Sequence, residues 1–249
     1  MTPPIKKRFG LLGRNINYSF SKGYFTEKFE NEKLVGYTYE NFDIPNIESF
    51  LAVIKNNDYL SGMNVTIPYK EEVIPFLDKL SKKAIKIGAV NTIRFTKKGK
   101  LKGYNTDYYG FQKSLEPLLE SHHKKALILG TGGASKGVAF ALEELGIEYT
   151  FVSRQASETV LGYNQITDLI FDEYQIVINS TPVGTSPNTE AYPEIPYEFF
   201  TKKHIAYDLI YNPAETQFLK KAQHQGAITK NGMDMLIFQA EKAWKIWNK

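Results

Sequence analysis

The sequence predicts an α/β fold in two lobes. Strand-like and helix-like runs alternate along the 249-residue chain. A glycine-rich turn, Gly130-Thr131-Gly132-Gly133-Ala134-Ser135, stands between an apolar β-run and a helical pattern, the strand–turn–helix order of a βαβ unit. Charge also changes sign near Asn105: residues 1–104 carry 18 basic and 10 acidic side chains, whereas residues 105–232 carry 10 and 15. A lobe boundary is expected there.

In the first lobe, residues 9–12 form an apolar run ending at Gly13. Apolar residues at 25, 29 and 34 mark a helical face over residues 22–34. Aromatic and polar residues alternate over 37–42, as in a half-buried strand. Pro45 is expected to open a helix through Ile54, because proline suits a first helical position. Residues 62–67 form a strand stopped by Pro68, and 91–95 and 101–104 pair as a hairpin around Lys97-Lys98-Gly99.

The second lobe is plainer. β-runs are expected at 125–129, 149–152, 175–179, 205–209 and 227–230. Helices are expected at 136–145, closed by Gly146, at 216–225, stopped by Gly226, and at 233–247. Strands alternating with helices in this way imply a parallel sheet with helices on both faces.

Composition bounds the function. Hydrophobic residues are 42% and charged residues 23%, values of a folded globular protein rather than a disordered one. No run approaches the roughly 20 apolar residues of a membrane helix. Cysteine is absent, which excludes disulfides, thiolate metal sites and a cysteine nucleophile. The net charge of +4 forms no dense basic stripe, so nucleic acid is not an expected partner. The N-terminal residues lack the apolar stretch of a secretory signal, so a cytoplasmic setting is expected. The four histidines have no metal-site spacing, and no metal is expected.

Several residues carry possible chemistry. Gly130 and Gly132 permit a tight turn and close approach of backbone to phosphate, and the following helix N-terminus favours an anion. A ligand-free structural turn would read the same way. After the next β-run comes Ser153-Arg154, where a carboxylate would select NAD; a guanidinium suits a 2′-phosphate instead, so NADP is preferred. Read alone, Arg154 also leaves open an ordinary surface arginine. Lys70 follows the strand stop at Pro68, and taken singly it reads more readily as a solvated lysine. Asn91, Asn105 and Asp107 lie at strand termini, where turns and helix caps also use them.

Taken together, these pieces resemble the shikimate dehydrogenase family. Seven segments occur in that family's order: Asn64-Val65-Thr66-Ile67-Pro68-Tyr69-Lys70, Gly88-Ala89-Val90-Asn91-Thr92, Gly103-Tyr104-Asn105-Thr106-Asp107, the glycine-rich turn, Ile178-Asn179-Ser180-Thr181-Pro182-Val183-Gly184, Tyr207-Asp208-Leu209-Ile210-Tyr211-Asn212-Pro213 and a last one from Gly232 to Ala240. The resemblance implies a substrate lobe over 1–104, completed by a returning helix at 233–249, and a Rossmann-like NADP lobe over 105–232. It implies that Ser19 and Ser21 hold a substrate carboxylate and that Tyr211 lies near it. Thr66, Asn91, Asp107 and Gln239 would bond ring hydroxyls, and Lys70 and Asp107 would be the catalytic pair. Gly130, Thr131, Gly132, Gly133, Ala134, Ser135, Ser153, Arg154, Thr181 and Gly232 would bind the cofactor. The sequence departs from the family at Tyr18 and at Lys22-Gly23 beside the serine pair, at Ser153 and Gln155 around Arg154, and in a short 156–174 segment where a helix of the cofactor lobe is expected to be reduced.

The implied reaction is reversible, NADP-dependent reduction of 3-dehydroshikimate to shikimate, on the route to chorismate and the aromatic amino acids, by a monomer or homodimer. Three alternatives stay open. One is a paralogue that takes quinate or NAD, another is a cofactor-binding protein without catalysis, and the third is a two-domain dehydrogenase acting on a folate, which the serine pair and Gln239 fit poorly.

Overall fold

The computed structural model describes residues 4, 6–16 and 19–249; Tyr18, one of the departures beside the serine pair, lies outside them. The chain divides into two compact units, Met1–Thr106 with Ala240–Lys249, and Asp107–Gln239.

The first unit contains β1 (Lys7–Gly13), α1 (Phe20–Asn31), β2 (Tyr37–Asp43), α2 (Phe50–Lys55), β3 (Leu60–Val65), β4 (Lys79–Leu80), α3 (Lys82–Ile87), β5 (Thr92–Phe95) and β6 (Leu101–Tyr104). Its sheet runs β2-β1-β3-β5-β6-β4. The first three strands are parallel, whereas β3, β5 and β6 are antiparallel, so this sheet is mixed. The expected hairpin forms between β5 and β6. Helix α1 begins earlier than its apolar spacing suggested, because the Ser19 side chain caps it by accepting from the Lys22 amide. The helix expected from Pro45 begins later. Asn46 is extended and caps a short 3-10 turn, Ile47–Ser49, which leads into α2, so Pro45 stays outside the helix. Helix α3 is additional to the elements expected from periodicity, although Ser81 caps its start and Gly88, at φ 72°, ends it.

The second unit contains α4 (Asp107–Leu115), β7 (Lys125–Leu129), α5 (Gly133–Leu145), β8 (Glu148–Ser153), β9 (Val160–Gly162), α6 (Asp168–Glu173), β10 (Ile176–Asn179), β11 (Ile205–Asp208), α7 (Gln217–His224), β12 (Ile228–Lys230) and the start of α8 (Met233–Trp247). All its strand pairs are parallel, in the order β9-β8-β7-β10-β11-β12. This is the doubly wound order, with the strand sequence reversing direction between β7 and β10. Strands β10 and β11 are buried along their whole length, which explains why they read as continuous apolar runs rather than alternating ones. The short 156–174 segment carries a three-residue edge strand, β9, and a six-residue helix, α6.

Helix α8 supplies residues to both units, with the division at Gln239 and Ala240. Its end belongs to the core of the first unit. Trp247 donates from Nε1 to the Ile93 carbonyl at 3.0 Å, and its ring centroid lies 4.9 Å from Phe9 and 5.2 Å from Phe25. No helix among the described residues is long and apolar enough to cross a membrane.

Candidate active site

In the second unit, the ends of β7, β8 and β10 open onto a cavity of about 810 Å³. It lies at the reversal of strand order, where parallel sheets bind ligands. Gly130, Thr131, Gly132, Ser153, Arg154 and Thr181 line it. Gly130 follows β7 at φ 101°, and a β-carbon there would stand 2.9 Å from Thr181 Cγ2, so the backbone needs glycine. Gly132 is the N-cap of α5 and supplies no side chain to cap it, which leaves the helix start open to an anion. A β-carbon on Gly132 would meet nothing within 4 Å, so space is present beside the helix start.

Gly133, Ala134 and Ser135 form the first turn of α5 and are not part of the cavity lining. The Ser135 hydroxyl is turned back onto the Gly132 carbonyl at 2.6 Å, so it braces the turn. Gly232 is likewise outside the lining, and its amide donates to the Ile210 carbonyl. Sequence reasoning passed over Tyr163, Asn164, Tyr192 and Glu194, which also line the cavity. Tyr163 and Asn164 directly follow β9, the short edge strand.

A buried carboxylate holds this region together. Asp208, at the end of β11, accepts from Thr216 Oγ1 at 2.6 Å, the Ile210 amide at 3.0 Å and Asn179 Nδ2 at 3.1 Å. Asn179 Oδ1 in turn accepts from the Thr181 amide at 3.1 Å and hydroxyl at 2.6 Å. Thr181 is thus set through two linked side chains at neighbouring strand ends. Burial pushes the Asp208 carboxyl up to about 6 against the pull of its three donors. Tyr211 follows in the same loop, half-buried, with its phenol pushed up by burial.

The remaining second-unit candidates lie on α4 and α8. Asp107 is the first residue of α4, inside the helix rather than capping it. Gln239 donates from Nε2 to the Leu236 carbonyl at 3.0 Å. The two helices touch at Gly110, one turn from Asp107, where a β-carbon would be 3.1 Å from the Gln239 amide nitrogen.

In the first unit, Ser19 and Ser21 lie at the start of α1, Thr66 and Lys70 follow β3, and Asn91 directly precedes β5. Ser19 Oγ caps α1 at 3.3 Å, using a lone pair and not the hydroxyl hydrogen. Thr66 follows β3, its amide donating to the Leu12 carbonyl at 2.9 Å. The cis Ile67–Pro68 bond then turns the chain toward Tyr69, whose buried hydroxyl donates to the Ile44 carbonyl at 2.7 Å. Lys70 is the next residue, its carbonyl accepting from the Val90 amide at 2.7 Å. Asn91 is buried, accepts from the Thr106 amide at 2.6 Å and donates to Thr106 Oγ1 at 3.0 Å. Through this amide the first unit grips the residue that precedes Asp107.

A family profile for the shikimate dehydrogenase substrate binding domain matches residues 11–93. The shikimate dehydrogenase (NADP(+)) of Methanosphaera stadtmanae is 37% identical over 96% of this chain and 90% of its own length. The chain belongs to the shikimate dehydrogenase family. Two solved structures show how far the likeness extends. Shikimate 5-dehydrogenase from Thermus thermophilus, in complex with NADP(H) and shikimate, superposes with a TM-score of 0.85 at 32% identity, covering 97% of this chain and 93% of that one. Quinate dehydrogenase from Corynebacterium glutamicum, in complex with NAD, superposes at 0.86 with 26% identity, covering 97% and 93%. The shikimate dehydrogenase relatives thus span both units, and the family profile covers β3 and the Lys70 turn.

Proposed function

We propose that this protein catalyses the reversible, NADP-dependent reduction of 3-dehydroshikimate to shikimate. The observation that carries the proposal is the conjunction of likeness over both units with a cavity at the strand-order reversal where Arg154, rather than a carboxylate, follows β8.

The residues at that cavity suit NADP. Gly130 lets the backbone approach closely, the open start of α5 offers amides to phosphate, and Arg154 offers a two-pronged donor to a 2′-phosphate. Thr181 would bound the same site. When bound, the nicotinamide supplies the hydride that reduces the ketone carbon. The chain must bind the cyclitol, orient its ketone and deliver one proton to the oxygen. Ser19 and Ser21 would hold the carboxylate, with Tyr211 beside it. Thr66, Asn91, Asp107 and Gln239 would bond the ring hydroxyls. Lys70, as an ammonium, would stabilise the negative charge growing on the ketone oxygen and pass it a proton, then recover one from solvent. Asp107 would orient Lys70.

In this reading Met1–Thr106 with Ala240–Lys249 is the substrate lobe and Asp107–Gln239 the cofactor lobe. A cytoplasmic monomer or homodimer is part of the same proposal, and light scattering on the purified protein checks the oligomeric state.

The test is steady-state oxidation of shikimate with NADP and with NAD, and of quinate in parallel. Turnover confined to shikimate and NADP is the expected result. The likeness to a quinate dehydrogenase in complex with NAD supports a second reading, a paralogue of broader use, and comparable turnover with quinate or NAD would establish that one instead.

A further inference from the structure

Two side chains leave neighbouring strands into the same corner of the second-unit cavity. Strands β8 and β9 run parallel, with Phe151 opposite Val160, Val152 opposite Leu161 and Ser153 opposite Gly162. Strands paired in this way lie about 4.8 Å apart. Arg154 and Tyr163 are the next residues on the two chains, and both line the cavity. Glu194, a carboxylate of the same lining, belongs to the segment between β10 and β11, so positive charge stands at the β8–β9 corner.

A closed turn fixes Tyr163 there. The Gly162 amide donates to Gln165 Oε1 at 2.6 Å, and the Ile166 amide donates to the Tyr163 carbonyl at 3.3 Å. A β-carbon at Gly162 would stand 2.7 Å from Asn164 Oδ1, so the turn folds closely over the end of β9. The Tyr163 ring packs on the core cluster that contains Val152, Ile166 and Phe171. It is thus half-buried and anchored, whereas Arg154 is exposed. Among the described residues, neither the Tyr163 hydroxyl nor the Arg154 guanidinium has a hydrogen-bonding partner. Burial pushes the Tyr163 phenol up against the pull of the Arg154 charge, so at neutral pH the hydroxyl keeps its proton and is a donor.

The core needs the ring of Tyr163 but not its oxygen, since a phenylalanine would fill the same volume. A neutral donor on a rigid mount beside a mobile cation suits a phosphate monoester. Such a group presents three strong acceptor oxygens, enough for a two-pronged guanidinium and one phenol together. A ribose hydroxyl carries no charge and gains much less from the same donors.

We propose that Tyr163 is a second specificity-determining residue for the cofactor, its hydroxyl donating to the same 2′-phosphate that Arg154 grips. The inference rests on the reading of Arg154 as the 2′-phosphate partner and deepens it: selection of NADP over NAD is shared between two adjacent strand ends.

The test is isothermal titration calorimetry on the full chain, which needs no turnover. The probes are adenosine 2′,5′-bisphosphate, which carries the 2′-phosphate, and 5′-AMP, which lacks it. Tyr163→Phe weakens binding of the bisphosphate about 10-fold, the lower end for a hydrogen bond to a charged group, and of 5′-AMP by less than about twofold. Arg154→Ala is selective in the same sense. Equal weakening of both ligands by Tyr163→Phe would make the tyrosine a packing residue of the adenosine end and overturns the inference. Unchanged bisphosphate affinity in Tyr163→Phe, with Arg154→Ala still selective, also overturns it and leaves the reading of Arg154 standing. An unsubstituted protein that binds 5′-AMP as tightly as the bisphosphate overturns the NADP reading and takes this inference with it.

Discussion

Gly110 on α4 meets Gln239 on α8 with no room for a side chain: a β-carbon at Gly110 would stand 3.1 Å from the Gln239 amide nitrogen and 2.3 Å from the Met235 carbonyl. One turn before Gly110 is Asp107, so this contact sets the distance between two proposed substrate-binding residues. Gly110→Ala must push α8 away from α4. Overpacking of this kind costs about 1–3 kcal/mol. The expected outcome is a lower Tm and a raised KM for shikimate, with NADP binding preserved. An unchanged KM would show that Gln239 does not depend on this contact.

Lys70 sits behind a turn anchored by Tyr69 and by the Val90 amide, so its backbone position survives loss of its side chain. Lys70→Ala is expected to lower kcat by about 10²–10⁴-fold, the usual worth of a positioned proton donor. NADP affinity should be unaltered. Near-normal turnover would remove Lys70 from the chemistry.

Arg154 is exposed at the cavity rim beside Ser153. Arg154→Ala should raise KM for NADPH by about 10-fold or more, since charge-assisted bonds to phosphate are lost. KM for NADH should change little. Equal shifts for both cofactors would detach Arg154 from the 2′-phosphate.

Two buried groups give stability an opposing pH dependence. The folded chain keeps Asp208 protonated up to about 6, against an ordinary value of 3.8, so its contribution is full below about 4 and is lost as pH rises through 6. His204 behaves in the reverse sense. Its Nδ1 accepts from the Thr201 amide at 3.0 Å, so Nε2 carries the hydrogen offered to the Phe171 carbonyl, and burial holds its pKa below 6.5. Its contribution is present above 6.5 and is lost as pH falls through the folded value. Urea unfolding from pH 4 to 8 should show the two slopes separately. Asp208→Asn removes the fall between about 4 and 6, and His204→Gln removes the decline on the acid side of about 6.5. Curves that overlay the unsubstituted protein would show that neither group titrates in this way.

Trp247 is nearly at the end of the chain yet lies in the core of the first unit, bonded to the Ile93 carbonyl. Trp247→Ala should cost about 3–5 kcal/mol of stability in urea unfolding, the range for emptying a large aromatic site. A loss below about 1 kcal/mol would mean that the last turn of α8 frays without consequence.

Local physics made much of the molecule legible in the sequence. The parallel sheet of the second unit follows from apolar runs separated by helical patterns, and the glycine turn follows from backbone needs that only Gly130 meets. The hairpin at Gly99 and the closing helix were equally plain. Lys70, Asn91, Asp107 and Arg154 stand at strand ends and helix starts, where solvated charges, turns and caps read the same way, so their expected roles came from the resemblance to the family. Other features had no local signal. Tyr39 looks like one aromatic among many in an alternating strand, and only the sheet order, which places β1 between β2 and β3, brings its hydroxyl to Asn64. Asp208 reads only as part of a β-run until the parallel register sets it beside Asn179. Helix α3 and the late start of α2 depended on caps at Ser81 and Asn46, whose side chains compete with the backbone over a single bond. Most strands and helices were legible in the sequence because their apolar periodicity and turn residues depend on neighbours within a few residues. Which buried polar groups meet was decided by the tertiary structure alone, because each needs a partner tens of residues away and burial makes that partner obligatory.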